Sequence, residues 1–184
     1  MNYIKQCIPA NTCLLFALLI VCALPGVAQT TIPIETRHKA LVLQADAQKN
    51  LAIIYFGRKL SSPEEYAHIP AVYKQPGDYT GVLNSAYTPS GSRSLLEPAI
   101  SVSHADGNNS LDLRYVSHNV TKVDADVSLT TVLLKDPVYD FQVTLYYKTY
   151  FRDDVVEQWS VVKHREKGNV LLHKYASANL YLKA

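Results

Sequence analysis

Acidic side chains are the residues whose types and spacing in this sequence could perform hydrolysis. Two carboxyl groups can act as acid and base on one bond, provided that one of them stays protonated near neutral pH. The close acidic pairs are Glu64 and Glu65, Asp124 and Asp126, and Asp153 and Asp154. Each pair lies in a hydrophilic segment, where a carboxyl group stays solvated and ionised. We therefore expect these pairs to be turn or loop residues and not catalytic ones.

Histidine and serine motifs give no stronger indication of a catalytic or metal centre. The histidines are spread singly, and the best candidate pair of metal ligands is His104 with Asp106. Because Gly107 follows Asp106 and can adopt positive φ without strain, a turn is the favoured interpretation. The sequence contains no Gly-x-Ser-x-Gly, no glycine-rich phosphate loop and no His-Glu-x-x-His. We expect neither a metal ion nor a cofactor.

Aromatic residues could bind sugar rings by stacking, since tyrosine and tryptophan combine a flat apolar face with a polar group. Tyr146 and Tyr150 share one face of a predicted strand, and Trp159 lies in the middle of the next strand. Such residues more often pack across neighbouring strands than bind a ligand. We therefore predict cross-strand packing for the two tyrosines and a core position for Trp159.

The elements that would position these residues are β-strands, because apolar and polar residues alternate with a period of two along most of the chain. Short turn sequences join successive strands, which predicts an all-β fold, either an antiparallel sandwich or a barrel. The first two strands are apolar on both faces, and we expect both faces to be buried. The predicted strands are residues 40–45, 51–56, 99–104, 111–118, 127–134, 141–151, 155–164 and 170–184.

One long loop, rich in proline, glycine and tyrosine, interrupts this pattern over residues 60–98. A loop of this length is rare inside a compact domain and is usually functional or disordered. Its tyrosines argue against disorder, because disordered segments are poor in aromatic residues. Ser62 and Pro63 predict one short helix, with serine as the cap and proline in the first position. We expect the loop to contact a ligand or another domain.

Residues 1–28 have the pattern of a secretory signal peptide. Lys5 precedes the apolar run 13–24, and Ala28 ends a small-residue segment suited to signal peptidase. The alternatives are an uncleaved membrane anchor and a lipoprotein signal. A lipoprotein signal would need a small residue before Cys22, where this sequence has valine. We predict cleavage after Ala28.

Cleavage there leaves residues 29–184 as a single domain without cysteine, held together by its core alone. We expect a periplasmic or secreted protein that is not retained in the membrane after cleavage. The formal net charge is +2 and the basic residues are scattered, so we expect no nucleic-acid partner. All cysteines of the sequence lie within the signal: Cys7, Cys13 and Cys22.

Several segments in a fixed order resemble one known family. These segments are LAIIYFGRKL, EPAISVSHADGN, LRYVSHNV, LLKDPVYDFQVTLYYKTYF, VVEQWSVVKH and YASANLYLKA. Together, over residues 32–184, they resemble the amino-terminal domain of α-galactosidases of glycoside hydrolase family 36, in the form found in secreted Bacteroidetes-type proteins. The most specific part is the KDPVY turn, followed by an aromatic strand and by Glu-Gln-Trp.

The resemblance implies a β-sandwich that is part of a β-supersandwich, followed in the family by a (β/α)8 barrel. The family's nucleophile and acid/base are aspartates of that barrel, so no catalytic residue is carried over to this chain. The resemblance also implies α-galactosides as substrates, bound through the barrel, and a homo-oligomer of the intact enzyme. Because residues 178–184 read as a continuing strand, we expect domain 29–184 to be incomplete at its C-terminal end.

A loop of the family's first domain reaches towards the active-site mouth, and the matching residues here are 79–98. The resemblance therefore implies that Tyr87, Arg93 and Glu97 lie near the substrate. Many members have a basic residue before Glu-Pro-Ala, whereas this sequence has Leu96 there. The alternative functions are a free-standing periplasmic carbohydrate-binding or interaction module and a complete hydrolase that uses carboxylates of its own.

Overall fold

A computed structural model of the chain describes residues 29–69, 84–91 and 97–180. The predicted signal peptide lies outside these residues. Within the described ranges, no helix is long and apolar enough to cross a membrane. The described chain is almost entirely β-structure with one short 3-10 helix, Pro63–His68, which confirms the predicted all-β fold. The strands are β1 (Thr30–Glu35), β2 (Lys39–Ala45), β3 (Leu51–Arg58), β4 (Ile100–Ser103), β5 (Arg114–Lys122), β6 (Val127–Lys135), β7 (Phe141–Tyr150), β8 (Val155–His164) and β9 (Leu171–Tyr175).

The strands form antiparallel sheets, as the turn-joined pattern predicts. A three-stranded sheet has the order β1-β2-β3, and a four-stranded meander has the order β5-β6-β7-β8. A third pair, β4 with β9, joins strands that are far apart in the sequence. Strand β1 was not predicted, because Pro33 interrupts its alternation. Proline is tolerated there because β1 lies at the edge of its sheet, where a missing backbone N–H costs little.

The main core lies between the inner faces of the two larger sheets. Strand β7 alternates strictly: Phe141, Val143, Leu145 and Tyr147 are buried, whereas the residues between them are half-exposed. Buried residues of β1, β2 and β3 face them across the sandwich, and Val132 and Leu134 of the neighbouring strand β6 extend the same inner face. The two faces predicted for β7 are therefore confirmed. This packing supplies the stability that a domain without disulfides needs.

A second, smaller core covers the outer face of β2 and β3. Tyr66 of the 3-10 helix is fully buried there against Val42 and Ile54. Its hydroxyl donates to Glu35 at 3.0 Å and accepts the backbone N–H of Leu60 at 3.1 Å. The predicted short helix is thus confirmed. The predicted burial on both faces is confirmed for residues 40–45 and 51–54, whereas Phe56 of β3 is exposed.

Two predicted boundaries are wrong. Strand β5 covers Arg114–Lys122 rather than 111–118. The last strand ends at Tyr175, and the described residues 176–180 are not a strand. After Ala176 donates its backbone N–H to Ala99, hydrogen bonds of the Asn179 side chain replace the strand ladder.

The predicted long loop is partly packed on the sandwich. Residues 84–91 pair with β3 and β4: Ser85 forms a β-bridge with Ala52, and Pro89 forms one with Ile100. Ala86 and Tyr87 are buried in the main core. Residues 70–83 and 92–96 of the loop lie outside the described residues.

Candidate functional site

The acidic pair in the β7–β8 turn is held by hydrogen bonds from the β1–β2 turn. Asp154 Oδ1 accepts from the Thr36 hydroxyl at 2.8 Å and from the His38 backbone N–H at 2.7 Å. Its Oδ2 lies 2.8 Å from His38 Nδ1. The His38 side chain, its backbone N–H and Thr36 together lower the pKa of Asp154 to about 2. A carboxyl group with this pKa is ionised at neutral pH and cannot act as a general acid.

The other acidic pairs also stabilise local structure. Asp124 Oδ1 accepts the backbone N–H groups of Asp126 and Val127, which closes the β5–β6 turn. Asp126 forms a 3.0 Å ion pair with Arg152. Glu65 accepts the backbone N–H of Ser62 at 3.0 Å, at the start of the 3-10 helix. All three pairs therefore lie in turns or at the start of the 3-10 helix, and one carboxylate of each pair accepts a backbone N–H.

His104 does not form a metal-binding pair with Asp106. The His104 ring is buried, with Nδ1 2.8 Å from Glu166 Oε1 and Nε2 3.2 Å from the Ser110 carbonyl oxygen. It also stacks on Tyr139, with ring centroids 3.6 Å apart. Because both ring nitrogens already have partners, neither is available to a metal ion. No group of potential metal ligands occurs in the part of the chain that the structure describes.

Asp106 instead closes the β4–β5 turn, where Gly107 has a φ of 87° as the Asp-Gly sequence predicts. The backbone N–H of Asn108 and the hydroxyl of Tyr139 donate to its carboxylate. These bonds lower the pKa of Asp106. No sequence motif predicts the partner carboxylate Glu166, because 62 residues separate it from His104.

The aromatic residues of β7 and β8 pack on the solvent-facing side of the four-stranded sheet. Tyr146 and Trp159 are cross-strand partners and their rings are parallel, with centroids 5.1 Å apart. Tyr150 donates its hydroxyl to Glu157 at 3.1 Å. Cross-strand packing of the tyrosines is confirmed. The core position predicted for Trp159 is wrong: it is half-exposed, because its register places it opposite the outward-facing Tyr146.

Tyr87 is a buried core residue. Its side chain is 2 % exposed, and its hydroxyl donates to the Ala176 carbonyl at 2.8 Å. Ser160 donates to the same hydroxyl at 3.3 Å. Burial raises the pKa of Tyr87. In the described chain this side chain joins the loop to β8 and to the segment after β9, and its proximity to substrate stays a prediction.

Glu97 is exposed and forms an ion pair with Lys174 of β9. Its carbonyl oxygen accepts from Asn179 Nδ2 at 3.4 Å. Tyr87 and Glu97 therefore both contact the chain between Lys174 and Asn179, although through different residues. Arg93, the third residue predicted for this loop, lies outside the described residues.

The carboxylates of the three acidic pairs thus bind turn and helix-start N–H groups, and the lowered pKa of Asp154 is the opposite of what a general acid needs. No curated protein matches the sequence significantly. Several solved α-galactosidases share the fold.

The α-galactosidase of Lactobacillus brevis superimposes with a TM-score of 0.68 and 17 % identity, covering 82 % of this chain and 23 % of that chain. Two enzymes of Geobacillus stearothermophilus are equally similar. A variant of AgaA, solved with stachyose, has a TM-score of 0.70 and 18 % identity, covering 82 % of this chain and 24 % of its own. AgaB has a TM-score of 0.66 and 21 % identity, covering 83 % and 25 %. The chain thus spans about a quarter of the length of these relatives.

The family profile named Glycosyl hydrolase family 36 N-terminal domain matches residues 49–184, which is most of the chain. The matched region includes every described strand from β3 onwards, and hence the whole four-stranded sheet. This chain therefore belongs to the glycosyl hydrolase family 36 N-terminal domain family.

Proposed function

We propose that this chain is the amino-terminal, non-catalytic β-sandwich part of an α-galactosidase that hydrolyses terminal α-linked galactose. The observation that carries the proposal is the family match over residues 49–184, on a fold that fills only 23–25 % of the solved α-galactosidases. The three acidic pairs support it, since their carboxylates bind backbone N–H groups in turns or at a helix start and the pKa of Asp154 is lowered. The catalytic carboxylates would belong to polypeptide outside this chain.

The sandwich would support a catalytic barrel and border its active site. The candidate bordering residues are Tyr87, Arg93 and Glu97, in or beside the loop that packs on the segment after β9. Solved relatives contain stachyose or raffinose, which are galactosides, and such sugars are the substrate class we propose for the intact enzyme. We further propose cleavage of residues 1–28, secretion or periplasmic location, and a homo-oligomer of the intact enzyme.

A direct test joins this chain to the coding sequence that follows it in the source genome. We expect further strands and then a (β/α)8 barrel, and we expect the joined polypeptide to hydrolyse p-nitrophenyl α-galactoside. An unrelated downstream sequence, together with no gain of activity in any reading frame, would contradict the proposal.

A free-standing carbohydrate-binding module is the second candidate, and half-exposed Trp159 on the solvent-facing side of the sheet is the observation that favours it. The parallel stacking of Trp159 on Tyr146 weakens this candidate, because each ring covers one face of the other. Calorimetric titration of the purified chain with raffinose distinguishes the two functions. Saturable binding that Trp159→Ala abolishes would favour the module.

A further inference from the structure

The β4–β5 turn contains an exposed aspartate–glycine pair, Asp106-Gly107, whose chemistry permits rearrangement of the backbone. The backbone nitrogen of the residue after an aspartate can attack the side-chain carboxyl carbon and form a five-membered succinimide ring. Glycine favours this attack, because it has no side chain to hinder the approach and its backbone adopts many conformations. Gly107 has a φ of 87°, and the space beside its Cα is open. The turn therefore has the composition and the exposure of a modification site.

The rearrangement is a dehydration followed by a hydrolysis. The Gly107 nitrogen loses its hydrogen and bonds to Cγ of Asp106, while the carboxyl group, which reacts in its protonated form, loses its hydroxyl as water. Water then adds to one of the two carbonyl carbons of the succinimide, and the ring opens to aspartate or to isoaspartate. One water leaves and one returns, so isoaspartate forms without a change in mass.

In the folded chain both reacting groups already have hydrogen-bond partners. The Gly107 N–H donates to the His104 carbonyl oxygen at 2.8 Å. The Asp106 carboxylate accepts the backbone N–H of Asn108 at 3.0 Å and the hydroxyl of Tyr139 at 2.8 Å. These two bonds, the Asn108 bond above all, lower the pKa of Asp106, so less of the reactive protonated carboxyl is present at neutral pH.

Tyr139 is the partner that the β4–β5 turn does not supply itself. It lies in the β6–β7 turn, 33 residues along the chain from Asp106. Its ring is fixed by stacking on the buried His104 ring, with centroids 3.6 Å apart. The Asn108 side chain donates to the Tyr139 hydroxyl at 2.9 Å, which leaves the hydroxyl proton for Asp106 Oδ2. Rotation of the carboxyl group towards the Gly107 nitrogen would break this bond.

We propose that Asp106-Gly107 is a succinimide-forming site and that the hydroxyl of Tyr139 keeps it unreactive in the folded chain. Isoaspartate would lengthen the backbone of the turn by one methylene group and withdraw the carboxylate from Tyr139. The preceding residue, Ala105, donates its backbone N–H to Glu166 at 3.1 Å, so rearrangement would also loosen the contact between the β4–β5 and β8–β9 turns. The proposal is independent of the proposed function.

The test compares isoaspartate formation in the unsubstituted full chain and in Tyr139→Phe, which removes the hydroxyl but keeps the ring that stacks on His104. Each protein is incubated at neutral pH and digested with trypsin, which releases the peptide 94–114. Chromatography separates the isomers, and deamidation of an asparagine is recognised because it raises the mass. Tyr139→Phe should form isoaspartate about tenfold faster, since a hydrogen bond to the carboxylate is lost.

Tyr87→Phe is the matched control, because it also removes a tyrosine hydroxyl, but one whose partners are Ala176 and Ser160. It should form isoaspartate at the rate of the unsubstituted chain. In concentrated urea all three proteins should react at one common, faster rate. Equal rates for the folded Tyr139→Phe and unsubstituted chains would overturn the proposal. Equal acceleration by Tyr87→Phe would also overturn it, because the effect would then come from global unfolding.

Discussion

Asp154 and His38 join the two larger sheets at one end of the sandwich. The carboxylate of Asp154, in the β7–β8 turn, binds both the backbone N–H and the imidazole of His38, in the β1–β2 turn, at 2.7 and 2.8 Å. The turns are also joined by the backbone, because Arg37 donates its N–H to Phe151 at 2.9 Å. Asp154 has a φ of 55°, a conformation that aspartate and asparagine tolerate better than other side chains.

Substitution of Asp154 should change the acid stability of the chain. Its pKa of about 2 lies below the ordinary value of 3.8, so the folded state favours the ionised carboxylate. The resulting stabilisation is fully present above pH 3.8 and is lost as the pH falls towards 2. Asp154→Asn should lower the melting temperature at pH 7, and the difference from the unsubstituted chain should shrink as the pH falls through this window. Thermal melts followed by circular dichroism measure both effects.

Asp153→Asn is the matched control, because it removes a neighbouring exposed charge. Among the described residues, Asp153 forms no hydrogen bond or ion pair with the β1–β2 turn. We expect its pH profile to follow that of the unsubstituted chain. Identical profiles for the two substitutions would show that Asp154 does not join the sheets.

Removal of Glu166 should destabilise the chain strongly. The Glu166 side chain is 7 % exposed, and it binds His104 Nδ1 and the backbone N–H of Ala105. Glu166→Ala leaves a buried imidazole nitrogen without its partner, which typically costs about 1–3 kcal/mol. Urea unfolding measures the loss. Lys167→Ala, at the adjacent exposed position, should change stability by less than about 0.5 kcal/mol, and a comparable loss there would contradict the assignment.

Tyr87→Phe distinguishes packing from substrate contact. Loss of the hydroxyl leaves the half-buried Ala176 carbonyl without this donor, so the free energy of unfolding of the isolated chain should fall by about 1 kcal/mol. In an intact enzyme the same substitution should leave KM for a galactoside unchanged, because the hydroxyl points into the core. A raised KM with unchanged stability would show that the hydroxyl contacts the substrate rather than the core.

The stacked pair on the outer face should contribute to the stability of the sheet. A double-mutant cycle with Tyr146→Ala and Trp159→Ala should give a coupling energy of about 0.5–1.5 kcal/mol, which is typical of aromatic pairs. The free energies come from urea unfolding. Strictly additive effects would mean that the parallel rings make no mutual contribution.

Local pattern was enough to predict the strands whose burial alternates, as in β7 and β8, and the turn at Asp106-Gly107. It was not enough where tertiary contacts override the pattern. Strand β1 contains Pro33 and forms because it pairs with β2. Strand β9 ends early because the Asn179 side chain forms hydrogen bonds with Thr88 and the Glu97 carbonyl instead of continuing the ladder.

In the candidate site, too, local pattern predicts some features, whereas tertiary contacts determine others. That the acidic pairs lie in turns follows from their hydrophilic surroundings. The hydrogen-bond partners of these carboxylates could not be predicted from the sequence, because 116 residues separate Asp154 from His38 and no short motif indicates such a contact. Trp159 was misplaced because the face of an edge strand depends on register, and register is set by turn geometry that the sequence specifies only weakly.

The central claim is that this chain carries the fold of the family's first domain without its chemistry. The most direct measurement is hydrolysis of p-nitrophenyl α-galactoside by purified residues 29–184. The account predicts a rate equal to that of buffer alone, with no change when Asp126 or Asp154 is replaced by asparagine. Turnover by the pure chain that one such substitution abolishes would contradict it.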